Sequence, residues 1–185
     1  DMEGMPWTPI EKMWVEFDGN GFAISNLNCG HTSWGRSGFF GYIGGGFVKN
    51  LILENVTAEG TQVGIVAGAL EGTVENVTIK GDNYVKYNRE INPRETWGGV
   101  GVVAGVAQPM PISNIVVDGN VTVDYNGIIT CAPYTGVNAL ISNIDGGVTT
   151  NGTVTVKDRY IQYVADGFGL DKDGNYLVLS KAGLF

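Results

Sequence analysis

A four-residue phrase returns five times along this chain: Ile24-Ser25-Asn26-Leu27, Val48-Lys49-Asn50-Leu51, Val74-Glu75-Asn76-Val77, Ile112-Ser113-Asn114-Ile115 and Ile141-Ser142-Asn143-Ile144. Its asparagines lie 24, 26, 38 and 29 residues apart. Recurrence at intervals of roughly 20–50 residues marks stacked repeats, each of which buries its apolar face only against a neighbour. A second phrase precedes the middle three copies: Gly38-Phe39-Phe40-Gly41, Gly64-Ile65-Val66-Ala67-Gly68 and Gly101-Val102-Val103-Ala104-Gly105. Glycine opens a turn there, two apolar residues form a strand, and a small residue fits where the sheet bends inward.

In Asn50-Leu51-Ile52-Leu53 the leucines alternate inward while Ile52 turns out, as a strand requires. Val77 and Ile79, and Ile115 and Val117, repeat these columns. Each strand pairs with its copy one turn later and in the same direction, so the sheets are parallel and the crossovers right-handed. The expected fold is all-β: a right-handed parallel β-helix of about five coils over residues 1–153, with a C-terminal strand and turn segment over 154–185. The repeated asparagines Asn26, Asn50, Asn76, Asn114 and Asn143 suit bends, where their side chains tolerate left-handed geometry and bond to one another in a ladder. Five copies are four too many for one catalytic site.

Twenty-nine glycines without a collagen triplet fit many tight corners. A net charge of −8 argues against nucleic acid, which needs a basic surface. No window is apolar enough for membrane insertion. The repeat alignment puts Cys29 in a column with Leu53, Ile79 and Val117, several rungs from Cys131. Both cysteines therefore read as small buried hydrophobes rather than a disulfide.

The third coil carries an insertion of about a dozen residues within Gly81 to Gly99. Its Tyr84, Tyr87, Arg89, Arg94 and Trp97 are the candidate ligand-binding residues, because exposed aromatics beside charges suit sugar rings. Elsewhere the sequence is bland. Asp171-Lys172-Asp173-Gly174-Asn175 departs from a calcium loop at its glycine and at position twelve, and it reads as a hairpin turn, as does Asp18-Gly19-Asn20-Gly21. The sequons at Asn55, Asn76, Asn120 and Asn151 are discounted. His31, the single histidine, lacks the partners that zinc or a nucleophile would need. Asp118 and Asp124 are the nearest approach to a carboxylate pair of the kind a polysaccharide lyase or glycosidase uses, and a solvated turn explains them. No catalytic residue, metal or cofactor is expected.

Trp7-Thr8-Pro9-Ile10, the run from Phe17 to Leu27 and the three glycine-bounded phrases together resemble bacterial GLUG-motif β-solenoid domains, over roughly Trp7 to Asn143. The resemblance implies a module of a large cell-surface or secreted protein, used for adhesion or display, and it carries no catalytic residues. The segment Asn175 to Phe185 resembles the line that precedes such a solenoid, so the chain is expected to be a fragment spanning one module and the start of another. No cap is evident at either end. The expected role is non-catalytic structural display at the cell surface or outside it. The alternative is a glycan-binding adhesin using the 81–99 insertion, and a β-helix enzyme ranks third. Partners would be a glycan or a host or partner protein, with neighbouring modules of the same polypeptide.

Overall fold

The computed structural model describes residues 1–94, 98–107, 112–126, 148–157, 162–165, 168–170 and 176–178. The valine- and isoleucine-rich stretches form three parallel sheets. The largest has ten strands, centred on Phe47–Glu54, Thr73–Asn88 and Ile112–Asn126. A second sheet stacks Arg36–Ser37, Gln62–Gly64 and Gly99–Gly101, and a third stacks Phe40–Ile43, Ala67–Leu70 and Ala104–Ala107. The chain visits the sheets in the same order each time and returns one strand further along. We call each such circuit a rung.

In-register pairing turns the sequence repeat into columns of like residues. Leu51 lies beside Val77 and Val77 beside Ile115. Ile24, Leu53, Ile79 and Val117 form the next inward column. Leu51, Leu53, Val77, Ile79, Ile115 and Val117 are all at most 1% exposed, and burying each such side chain contributes about 1.5–3 kcal/mol. The same strands turn Ile52, Thr78 and Val116 outward, as their period of two demands.

Two sequence expectations change. Cys29 sits beside Ala58 and Trp7, in the column continued by Val85 and Val123, not beside Leu53. It is buried, and burial pushes its thiol up to about 12. Cys131 lies outside the described residues. The described pairing partner of Ile115 is Val148; the phrase at 141–144 lies outside the described residues. Parallel pairing runs on to Lys157, after which Gln162–Ala165, Phe168–Leu170 and Tyr176–Val178 form a small antiparallel sheet.

The interior is closed at the first rung by aromatic rings. Trp7 stacks on Phe39 at 5.0 Å, and Phe17 meets Phe39 and Phe40 edge-on at 5.7 and 5.4 Å. Later rungs hold Ala67 and Ala104 in line with Phe40. This cluster is a cap that no local sequence pattern announces.

Candidate functional site

The outward-facing polar groups fall into columns of their own. Among the described residues six other than glycine have positive φ, and all are asparagine: Asn20, Asn26, Asn50, Asn55, Asn76 and Asn114. Asparagine tolerates this left-handed region better than other side-chain-bearing residues. Asn114 Nδ2 donates to Asn76 Oδ1 (2.6 Å), Asn76 to Asn50 (3.3 Å), and Asn50 to the Asp18 carboxylate (2.9 Å). A second ladder, five residues further along the rung, runs from the Asp82 backbone N–H to Asn55 (3.0 Å), from Asn55 to Asn26 (3.1 Å) and from Asn26 to Asp1 (2.8 Å). Gly81, with φ of 68°, continues this corner in the third rung. Asn26 therefore stacks with Asn55, not with Asn50 as the repeated phrase suggests. Asn143 lies outside the described residues.

Each ladder donates toward the first rung and ends on an aspartate, which accepts but cannot donate. The amide of Asn50, helped by the Asn20 N–H and the Lys49 ammonium, holds the Asp18 carboxyl below its usual range. Asp18-Gly19-Asn20-Gly21 is not a hairpin: the strands on either side, Glu16–Asp18 and Ala23–Ser25, pair in one direction with Phe47–Glu54. It is a two-residue bulge. The sequon asparagines Asn55, Asn76 and Asn120 all use Nδ2 as a donor to a neighbouring side chain.

Charged residues alternate in sign along three further columns: Asp18, Lys49, Glu75; Glu54, Lys80, Asp118; and Glu59, Lys86, Asp124. Strands pair about 4.8 Å apart, so like charges in one column would repel. Lys86 Nζ is 3.0 Å from Glu59, and Lys49 Nζ is 2.5 Å from Glu16. The Asn88 amide, then Lys86 and His31, lower the Glu59 carboxyl. Asp118 and Asp124 are thus in a strand opposite lysines, not in a turn.

The insertion is narrower than Gly81–Gly99. Residues through Asn88 belong to the sixteen-residue strand Thr73–Asn88. Tyr87 pairs with Gly60 and Gly99 with Gln62, so the extra residues lie between Asn88 and Gly98. Tyr87 is 3% exposed and belongs to the core, which removes it from any binding face. Tyr84 donates its hydroxyl to Asp124, and this bond, followed by burial, raises it to about 12. Arg89 opens the short 3-10 helix Arg89–Ile91, and Arg94 is exposed. Trp97 lies outside the described residues.

The insertion meets the earlier loop that carries His31 and Trp34. Asn92 Nδ2 donates to the Trp34 carbonyl at 3.2 Å, and the Trp34 side chain is 56% exposed. His31, beside it in sequence, is exposed. A second aromatic surface lies on the third sheet. Trp14, 59% exposed, meets Tyr42 edge-on at 5.6 Å. Arg36 Cζ lies 4.7 Å over the Tyr42 ring, Arg36 Nε donates to Gln62 at 2.8 Å, and Tyr42 Oη donates to Glu71 at 2.5 Å. Burial and then the Glu71 bond raise the Tyr42 phenol to about 12.

Among the described residues no three His, Cys, Asp or Glu side chains gather as a metal site would need, and no helix is long and apolar enough to cross a membrane. No family model and no solved structure match the chain. A segment is similar to halomucin from Haloquadratum walsbyi, 39% identical over 74 residues, which covers 37% of this chain and 1% of halomucin.

Proposed function

We propose that the chain is a right-handed parallel β-helix of about five coils, of GLUG type, serving as a non-catalytic structural and display module of a larger cell-surface or secreted protein that supports adhesion. One observation carries this reading: the outward polar groups of the described rungs line up along the stack, in amide ladders and columns of alternating charge, rather than converging on a shared point as reacting groups do. A polysaccharide lyase or glycosidase would need Asp118 or Asp124 directed at a substrate; each is in register with a lysine of the neighbouring strand, and Asp124 accepts from the Tyr84 hydroxyl. The partial likeness to halomucin supports the extracellular placement.

Two measurements test the proposal. Small-angle scattering should give a rod rather than a sphere. Incubation with pectic and mucin-type glycans should release no reducing ends or unsaturated products. Turnover that disappears in Asp118→Asn or Asp124→Asn would show the module to be an enzyme.

A further inference from the structure

Trp14 is both exposed and held in place. Its six-membered ring lies against the Gly44–Gly45 turn, where a Cβ at Gly44 would come 2.6 Å from Cη2 and 2.8 Å from Cζ3. A side chain at Gly44 would displace the indole, so this glycine keeps the space that Trp14 occupies. Tyr42 fixes the second side through its edge-on contact, and Tyr42 is itself fixed by Arg36 above its ring and by Glu71 at its hydroxyl. A tryptophan placed only to fill the core would be covered. This one leaves more than half its surface to solvent, and the Tyr42 beside it holds the Glu71 carboxylate at its hydroxyl and the Arg36 guanidinium over its ring.

We infer that Trp14 and Tyr42, with Arg36 and Glu71, form a carbohydrate-binding platform on the flank of the third sheet. A pyranose presents an apolar face of C–H groups and a rim of hydroxyls. The indole receives the first, and the planar polar groups accept from and donate to the second. Holding the ring in place beforehand lowers the ordering cost of binding, which matters for a small ligand. The exposed large apolar side chains here are Trp14 and its sequence neighbour Val15, two residues that fall well short of the about 800 Å² a protein partner needs on each side. The inference goes beyond the display role and does not depend on the insertion at Asn88–Gly98.

The test uses the full 185-residue chain and a panel of neutral sugars: glucose, galactose, mannose, N-acetylglucosamine and their short oligosaccharides. Saturation-transfer NMR should detect at least one of them. Trp14→Ala should weaken it at least tenfold and Glu71→Gln at least threefold, while Trp34→Ala leaves it unchanged. On the unaltered chain the Trp14 indole N–H resonance should shift with sugar and that of Trp34 should not, a readout that survives even if Trp14→Ala folds poorly. No transfer from any sugar, equal binding by a folded Trp14→Ala, or a Trp14 resonance that moves with protein concentration instead of sugar would each overturn the assignment. The display role would stand in all three cases.

Discussion

At Asn76 one side chain meets two demands. It holds the backbone at φ of 51°, and it passes a hydrogen bond from Asn114 on to Asn50. Asn76→Ala loses both functions. Left-handed strain in an alanine costs about 1–2 kcal/mol, and each lost exposed bond contributes about 0.5–1 kcal/mol. A destabilisation of about 2–3 kcal/mol is expected in urea titrations, and Asn76→Gly, which relieves the strain, should cost about 1 kcal/mol. Equal losses for the two variants would mean that the backbone conformation contributes nothing. Asp18 sets a pH limit on the same ladder. Its folded value lies below the ordinary aspartate value of 3.8, so its contribution is complete above about pH 4 and disappears as pH falls through the folded value. Asp18→Asn should flatten the acid limb of the stability curve measured from pH 2 to 6 while leaving the neutral region nearly level.

At the scale of the strand, register is set twice, by inward shape and by outward charge. Lys86 lies between Glu59 and Asp124. Lys86→Glu would place three acids in one column and should cost about 1 kcal/mol at low salt, with most of the loss recovered at 1 M NaCl, where screening is nearly complete. A salt-independent loss would assign the effect to packing of the lysine stem. The sequence made the central register readable, because Leu51, Val77 and Ile115 recur with little change around them. It misplaced the first rung by one corner for a physical reason. Each rung has two corners of the same chemistry five residues apart, such as Asn50 and Asn55, and the bulge at Asn20–Gly21 shifts the count by two. A phrase match cannot tell which corner Asn26 occupies, but the pairing of Ser25 with Glu54 can. The aromatic surface was illegible for a related reason. Whether Trp14 is buried depends on Gly44 and Gly45, some thirty residues away, and Tyr87 looked like a loop residue only because its strand is sixteen residues long.

At the scale of the whole molecule, stacked rungs contact chiefly their neighbours, so stability is a sum of local and nearest-neighbour contributions rather than one indivisible quantity. The aromatic cluster of Trp7, Phe17, Phe39 and Phe40 concentrates much of that stability at the first rung. Phe39 is 2% exposed, and its loss should cost about 3–5 kcal/mol. In a one-dimensional stack that cost need not spread. Phe39→Ala is expected to open the first rung alone, because the second rung keeps its own interior of Val48, Leu51 and Leu53 and its pairing to the third. Native-state hydrogen exchange can locate the effect. The amides of Ala23–Ser25, Arg36–Ser37 and Phe40–Ile43 should exchange at least a hundredfold faster, and those of Thr73–Ile79 within about threefold of the unaltered chain, since a loss of about 3 kcal/mol corresponds to a factor of more than one hundred in a local opening equilibrium. A uniform acceleration across all three rungs would instead show that the stack opens as one cooperative body, with the aromatic cluster acting as a keystone for the whole length rather than as the seal of one end.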